Sequence, residues 1–262
     1  MVSVRSSLSQ VFLFDRSAIN QIASAIPISG KTVLEIGAGE GVLTAALAKK
    51  AGAKGRVVAL EIDRSLAPKM EKRLAGLKNV EVNFVDAVKF DFGGFKTIFG
   101  NLPYHLSSKI LFKIIESNFS KAVVCLQKEF AARLVAKPGG KEYSRLSVSA
   151  QNACNIALLF EIPRFSFVPI PSVDSAVVLL EAKPARGRRS LNHALVSALF
   201  QHKNQSIRKA LLHSRKALGL DKNLLLSSCE SMPFKERRAR QLSLDEFALL
   251  SEWFERTIPA RR

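Results

Sequence analysis

Cysteine is scarce in this chain of 262 residues, and the three present, Cys125, Cys154 and Cys229, lie far apart with no C-x-x-C pair. This excludes a disulfide framework, and four histidines without metal-ligand spacing give no sign of a zinc site. Three buried, reduced thiols are expected. No stretch reaches 18 consecutive apolar residues, and MVSVRSSLSQ lacks the apolar core of a secretory signal. A cytoplasmic protein without a membrane span is expected. Acidic residues are the other shortage: 22 Asp and Glu stand against 40 Lys and Arg, a net charge of +18. Such an excess repels itself unless a polyanion neutralises it, which points to nucleic acid or an anionic membrane surface. Core material is not lacking: 47% of the residues are hydrophobic, which favours a packed protein over a disordered one.

From Lys31 onward, short β-rich runs alternate with helical stretches, the pattern of βαβ units and a mostly parallel sheet. Strands are predicted over residues 32–37, 56–62, 80–85, 97–102 and 122–126, with helices such as 42–51 and 107–117 between them. Two further runs, 156–162 and 175–182, are separated by a Pro-rich bend and predict a terminal hairpin, making seven strands. After Lys183 the character changes. PARGRRS reads as a basic linker, and the remainder has helical periodicity, with Ser243 and Glu246 spaced as a capping box. A sheet domain over residues 1–183 and a small helical domain over 184–262 are therefore expected. Residues 181–262 carry 17 Lys and Arg against 8 Asp and Glu, about twice the net charge per residue of what precedes them. The helical domain is thus the better candidate for phosphate contacts.

EIGAGEGVLT, residues 35–44, ends the first predicted strand and opens a helix, where glycines let the backbone approach a ligand. Its glycines are Gly37, Gly39 and Gly41, and Val42 occupies the position of the third glycine of a dinucleotide fingerprint. Glu61 ends the second strand, where a carboxylate can accept both ribose hydroxyls of an adenosine-containing cofactor, NAD or S-adenosylmethionine alike. Asp86, after the third strand, can accept from an adenine amino group. Either acid alone reads equally well as a strand-end cap; at successive strand C-termini, where such sheets bind ligands, the pair reads as a site.

NLPY, Asn101 to Tyr104, follows the fourth strand. An amine conjugated to a purine is a poor nucleophile, because its lone pair is delocalised into the ring. Methylating it requires acceptors that grip the amine protons and turn the lone pair toward the methyl donor. The Asn101 side-chain oxygen and the carbonyl of Leu102 or Pro103 are such acceptors, and Tyr104 offers a face for the base. No strong general base is needed, since the methylated ammonium is acidic enough to release its proton to water.

With these residues in register, the chain resembles the KsgA family of small-subunit ribosomal RNA adenine dimethyltransferases. Gln10, Phe12, Leu13 and Asp15 match its Q-x-F-L-x-D pattern, and Glu35 to Thr44 its glycine motif. NLPYHLSSKI, LQKEFAARLVAKPGGKEYSRLSV and FVPIPSVDSAVV match three further blocks in the family order, and QHKNQSIRKAL looks more like the archaeal branch. The resemblance implies a Rossmann-like class I SAM-dependent methyltransferase, an α/β fold whose seven-stranded sheet is followed by a small C-terminal helical domain. It also implies SAM-dependent dimethylation at N6 of two adjacent adenines in the 3′-terminal hairpin of small-subunit rRNA. The implied partner is the small ribosomal subunit, with no membrane, and the protein is expected to be a monomer. Carried over by position, Gln10, Val11, Leu13, Gly37, Gly39, Glu61, Ile62, Asp86, Ala87 and Asn101 would line the cofactor pocket. Asn101, Leu102, Pro103 and Tyr104 would hold the target amine and base, and Phe167 would stack on the base's other face. Ser9, Val11, Ala38 and Lys109 depart from the family pattern without removing a side chain the chemistry needs. Three rival readings are a large-subunit enzyme of the erythromycin-resistance type, an assembly factor with dispensable catalysis, and an NAD oxidoreductase. Val42 and the +18 charge argue against the last.

Overall fold

The structure, a computed structural model, describes residues 11–258. Two compact units emerge, one holding residues up to Ala131 together with Cys154–Ala182, the other Ala132–Ala153 together with Lys183 onward.

In the first unit, β2 (Thr32–Ile36), β3 (Arg56–Glu61), β4 (Val80–Phe84), β5 (Thr97–Asn101), β6 (Lys121–Gln127), β7 (Cys154–Ile162) and β9 (Ser175–Ala182) form one sheet. The strand order is β4-β3-β2-β5-β6-β9-β7. β2 to β6 run parallel, and β9 enters antiparallel to both β6 and β7. The expected terminal hairpin is the β7–β9 ladder, with a register shift between Leu158 and Phe160. Val33, Leu34 and Ile36 are all buried, as expected of a parallel strand covered on both faces. Helices α1 (Arg16–Ser24), α2 (Val42–Ala51), α3 (Ala67–Leu74) and α4 (Ser107–Glu116) belong to this unit. Ile19 and Ile22 of α1 and Leu47 of α2 join Val33, Val57, Phe99 and Val123 of the sheet in one core. A separate ribbon pairs β1 (Phe12–Leu13) with β8 (Phe167–Val168), antiparallel.

Chain order reverses at β2, which has β3 on one side and β5 on the other. At such a point the connections leave toward opposite faces and open a crevice beyond the strand C-termini. Gly37, Gly39, Glu61 and Asp86 fall there.

After β6 comes α5 (Lys128–Val135), and the second unit contains α6 (Arg145–Ala153), α7 (His193–Gln201), α8 (Ile207–Ser214), α9 (Lys222–Ser228) and α10 (Leu244–Thr257). Leu195 and Leu199, Leu211, Phe247 and Leu250 share its core with Tyr143 and Val148. The Tyr143 hydroxyl donates to the Leu242 carbonyl at 3.0 Å. Residues 132–153, which a linear reading places with the sheet, therefore belong with the helices. At the start of α10, Ser243 Oγ accepts from the Glu246 N–H (3.2 Å) and Glu246 Oε2 from the Ser243 N–H (2.8 Å). This is the capping box that the spacing predicts. Cys125, Cys154 and Cys229 are all buried, and none forms a disulfide. Among the described residues, no helix is long and apolar enough to cross a membrane.

Candidate active site

β2 ends at Ile36, and the chain turns through Gly37 and Gly39 with φ of 77° and 57°. A Cβ on Gly37 would stand 2.9 Å from the Asn101 carbonyl oxygen, and one on Gly39 would stand 3.0 Å from the Phe12 ring. Both positions thus need glycine for conformation and for close approach. The Gly39 N–H donates to Glu61 Oε2 at 2.7 Å, while Glu61 Oε1 accepts from the N–H groups of Ile62 (2.9 Å) and Asp63 (3.0 Å). Three of the roughly four acceptor positions of this buried carboxylate are filled. Glu61 therefore has room for one strong further bond, where the sequence reading expects two ribose hydroxyls. Asp86, just past β4, accepts from the Val88 N–H at 2.8 Å through Oδ1.

Asn101 closes β5, and its Nδ2 donates to the Val11 carbonyl at 3.2 Å. With its nitrogen so engaged, the amide keeps Oδ1 as acceptor. The Pro103 carbonyl accepts from the Leu106 N–H (2.9 Å) and from Ser107 Oγ (3.1 Å), which commits both of its lone pairs to the turn into α4. Of the two backbone carbonyls in question, the turn leaves that of Leu102 available. The Leu102 N–H is itself held by the Cys125 carbonyl at 3.1 Å. Tyr104 hydrogen-bonds through its hydroxyl to Ser175 Oγ at 2.9 Å, and burial pushes its phenol above the ordinary value. Beneath it, burial pushes the Cys125 thiol up to about 12, so this cysteine stays protonated and inert.

Glu35, within β2, is fully buried. Burial pushes its carboxyl up to about 8; the Thr44 hydroxyl, outside hydrogen-bond geometry, opposes the shift and the charge of Glu61 reinforces it. At neutral pH it is an uncharged acid under the glycine turn.

These elements surround a cavity of about 720 Å³, within the size range of cofactor sites. Val11, Leu13, Gly37, Gly39, Glu61, Ile62, Asp86, Ala87, Asn101, Leu102, Pro103 and Tyr104 line it. Gln10 lies outside the described residues. Phe167 requires a correction: it is fully buried in the core that contains Leu13 and Ile19, and it does not line the cavity. In the β1–β8 ribbon Phe167 is packed into that core, while its neighbour Val168, on the opposite face of the strand, lines the cavity. Phe12, Phe14, Arg16 and Val168 are lining residues absent from the sequence-based set. Alternation in FLFD was the signal that could have found Phe14. The lining fits an adenosine-containing cofactor: a glycine turn open to backbone approach, an anchored carboxylate with an acceptor to spare, a second acid at the next strand, and apolar walls from Ile62, Val85 and Ala87.

A family model described as ribosomal RNA adenine dimethylase matches residues 1–240. The chain belongs to that family. It is similar to the probable ribosomal RNA small subunit methyltransferase A of Thermococcus gammatolerans, with 43% identity covering 92% of this chain and 85% of the relative. The protein of the same name from Methanococcus maripaludis is 37% identical over 87% of this chain and 88% of its own length. Among solved structures, a dimethyladenosine transferase from Plasmodium falciparum superposes with a TM-score of 0.78 at 28% identity, covering 94% of this chain and 98% of that one. The 23S rRNA methyltransferase ErmE reaches 0.67 at 25% identity, covering 93% and 99%. The cofactor of this family is S-adenosylmethionine, and the cavity residues fit it.

Proposed function

We propose that this protein dimethylates N6 of two adjacent adenines in the 3′-terminal hairpin of small-subunit rRNA, acting on the small ribosomal subunit. The observation that carries this reading is the arrangement at the end of β5. Asn101 Nδ2 is spent on Val11, the Pro103 carbonyl is spent on the turn, and Asn101 Oδ1 and the Leu102 carbonyl remain as a pair of acceptors at the cavity wall. Two acceptors match the two protons of an exocyclic amine.

S-adenosylmethionine, when bound, supplies a methyl group activated on a positively charged sulfur. The protein does the rest by placement. Asn101 and Leu102 hold the amine with its lone pair out of conjugation, worth most in a water-excluded site where fixed dipoles need not reorganise. Tyr104, pinned by Ser175 and kept neutral by burial, presents a rigid ring to the base. Transfer would exchange the cofactor's methyl–sulfur bond for the new N–C bond, and the methylated ammonium held by Asn101 and Leu102 would give its proton to water, so no residue need act as a strong base. After the first transfer one N–H remains for one of the two acceptors, so a second round is compatible with the same site.

The small-subunit assignment is supported by relatives of that name over most of the chain; ErmE shares the fold at lower identity. Labelled S-adenosylmethionine incubated with unmethylated small subunits, followed by nuclease digestion, tests it. The expected product is N6,N6-dimethyladenosine from small-subunit RNA. Label in large-subunit RNA alone would overturn the assignment.

A further inference from the structure

The β1–β8 ribbon places an apolar ridge beside the cavity. Phe14 is 53% exposed, Phe165 64%, Val168 56% and Ile170 58%, a concentration of large exposed apolar side chains on one short stretch of surface. Its geometry follows from pairing. Phe12 lies opposite Val168 and Leu13 opposite Phe167, and the Phe14 N–H donates to the Ser166 carbonyl at 3.1 Å. Leu13 and Phe167 point into the core, so Phe14 and Val168 share the other face as diagonal neighbours, and both line the cavity. The ridge is held firmly. Asp15 Oδ2 accepts from Ser166 Oγ at 3.0 Å, and Asp174 Oδ1 accepts from the Arg164 N–H at 2.9 Å.

Cations accompany it. The Arg164 guanidinium lies 5.0 Å over the Phe165 ring, and Arg16 lines the cavity next to Phe14. Exposed phenyl rings interleaved with arginines beside the cavity match single-stranded RNA, whose unstacked bases seek aromatic faces while its phosphates seek cations. We infer that Phe14 and Phe165 stack the nucleotides flanking the target adenine, so that the protein takes its adenine from an unpaired strand by replacing base–base stacking with ring–base stacking. This inference rests on the proposed RNA substrate and adds the site for the neighbouring bases. It also supplies what the inward-facing Phe167 does not, an aromatic surface open to RNA outside Tyr104.

The test uses the full chain with a short oligoribonucleotide carrying one adenine and 2-aminopurine beside it, whose fluorescence is quenched by stacking. Quenching on the unaltered protein is expected. Phe14→Ala and Phe165→Ala should weaken binding by about 5- to 100-fold each and lose quenching. Phe14→Tyr should restore both, and Phe14→Leu should not. Calorimetric affinity for S-adenosylmethionine should change less than RNA affinity in every variant. Equal binding and quenching in the alanine variants would overturn the inference, as would full rescue by leucine or a loss confined to the cofactor. Weaker binding to assembled subunits with unchanged oligonucleotide binding would make the ridge a protein-docking surface, which also overturns it. Methyl transfer to rRNA is read separately. Transfer without quenching removes the ridge alone, and quenching without transfer removes the proposed function alone.

Discussion

Asn101, Glu61 and Glu35 are three polar side chains at strand positions, and their surroundings give each a different task. Asn101 has its donor occupied and its acceptor available, so Asn101→Ala should abolish methyl transfer while RNA binding persists. Cofactor affinity should fall only modestly, through the freed Val11 carbonyl. Near-normal turnover in a folded Asn101→Ala protein would sink the mechanism. For Glu61, alanine would strand three backbone N–H groups, whereas glutamine keeps an oxygen for Ile62 and Asp63 and gives up the Gly39 bond alone, so it is the cleaner probe. Removing one charged acceptor bond should cost about 1.5 to 3 kcal/mol of S-adenosylmethionine binding, measurable by calorimetric titration. Unchanged affinity would count against the ribose assignment. Glu35 is a case of pH linkage. Its folded carboxyl is raised to about 8, so the folded state retains a proton that the unfolded chain releases near the ordinary value of 4.5. Its stabilising contribution is full below that value and is lost as pH rises toward 8, at a limiting slope of about 1.4 kcal/mol per pH unit. Glu35→Gln, which mimics the protonated acid, should flatten urea-derived stability across that window; parallel pH profiles would contradict the burial argument.

At the scale of elements, Asp15 shows how one residue ties a helix to a ribbon. Its Oδ1 caps α1 through the N–H groups of Ser17 (2.9 Å) and Ala18 (3.2 Å), and its Oδ2 holds Ser166 beside β8. These bonds, that from the Ala18 N–H foremost, hold the carboxyl below its ordinary value. Asp15→Ala should cost about 1 kcal/mol, a fall in melting temperature of roughly 2 to 4 °C for a protein of this size. S-adenosylmethionine affinity should drop with it, because Val11 and Leu13 adjoin the same strand. Asp15→Asn keeps a capping oxygen and should lose less. Identical melting curves for all three proteins would show that the cap does not hold the ribbon. The expected strands and helices were legible because each depends on contiguous residues: β-branched runs ending at the glycine turn, Glu61, Asp86 and Asn101, and the spacing of Ser243 and Glu246. The β1–β8 ribbon was not, since two-residue strands carry too little pattern and their partners lie more than 150 residues apart.

For the whole molecule, charge and connectivity matter together. The second unit, counting residues 132–153, holds 21 Lys and Arg against 8 Asp and Glu, and so carries most of the net +18. Lys137, Lys141 and Arg145, which a linear reading gives to the sheet domain, belong to it. Deleting residues 184–262 is therefore a poor test of RNA anchoring, because Tyr143 and Val148 would lose the core they are buried in. Replacing exposed Arg186, Lys203 and Lys209 by glutamine keeps the fold and removes charge. For every phosphate that thereby goes without its cation, the log-log salt dependence of subunit binding should fall by roughly 0.7 to 0.9, with S-adenosylmethionine affinity intact. An undiminished slope in the triple variant would place the anchor elsewhere.

The sequence by itself determined the class of the sheet, the order of its strands along the chain, the glycine turn, the two acids and NLPY, because strand ends, glycines and alternation are written in consecutive residues. Tertiary structure decided what depends on partners far away in the chain. It packed Phe167 into the core, and it chose the Leu102 carbonyl over that of Pro103 by committing the latter to Leu106 and Ser107. It filled most of Glu61 with backbone donors, and it moved residues 132–153 into the helical unit. In each case the residue type was visible in the sequence, but its free lone pairs and its facing direction were set by what it packs against.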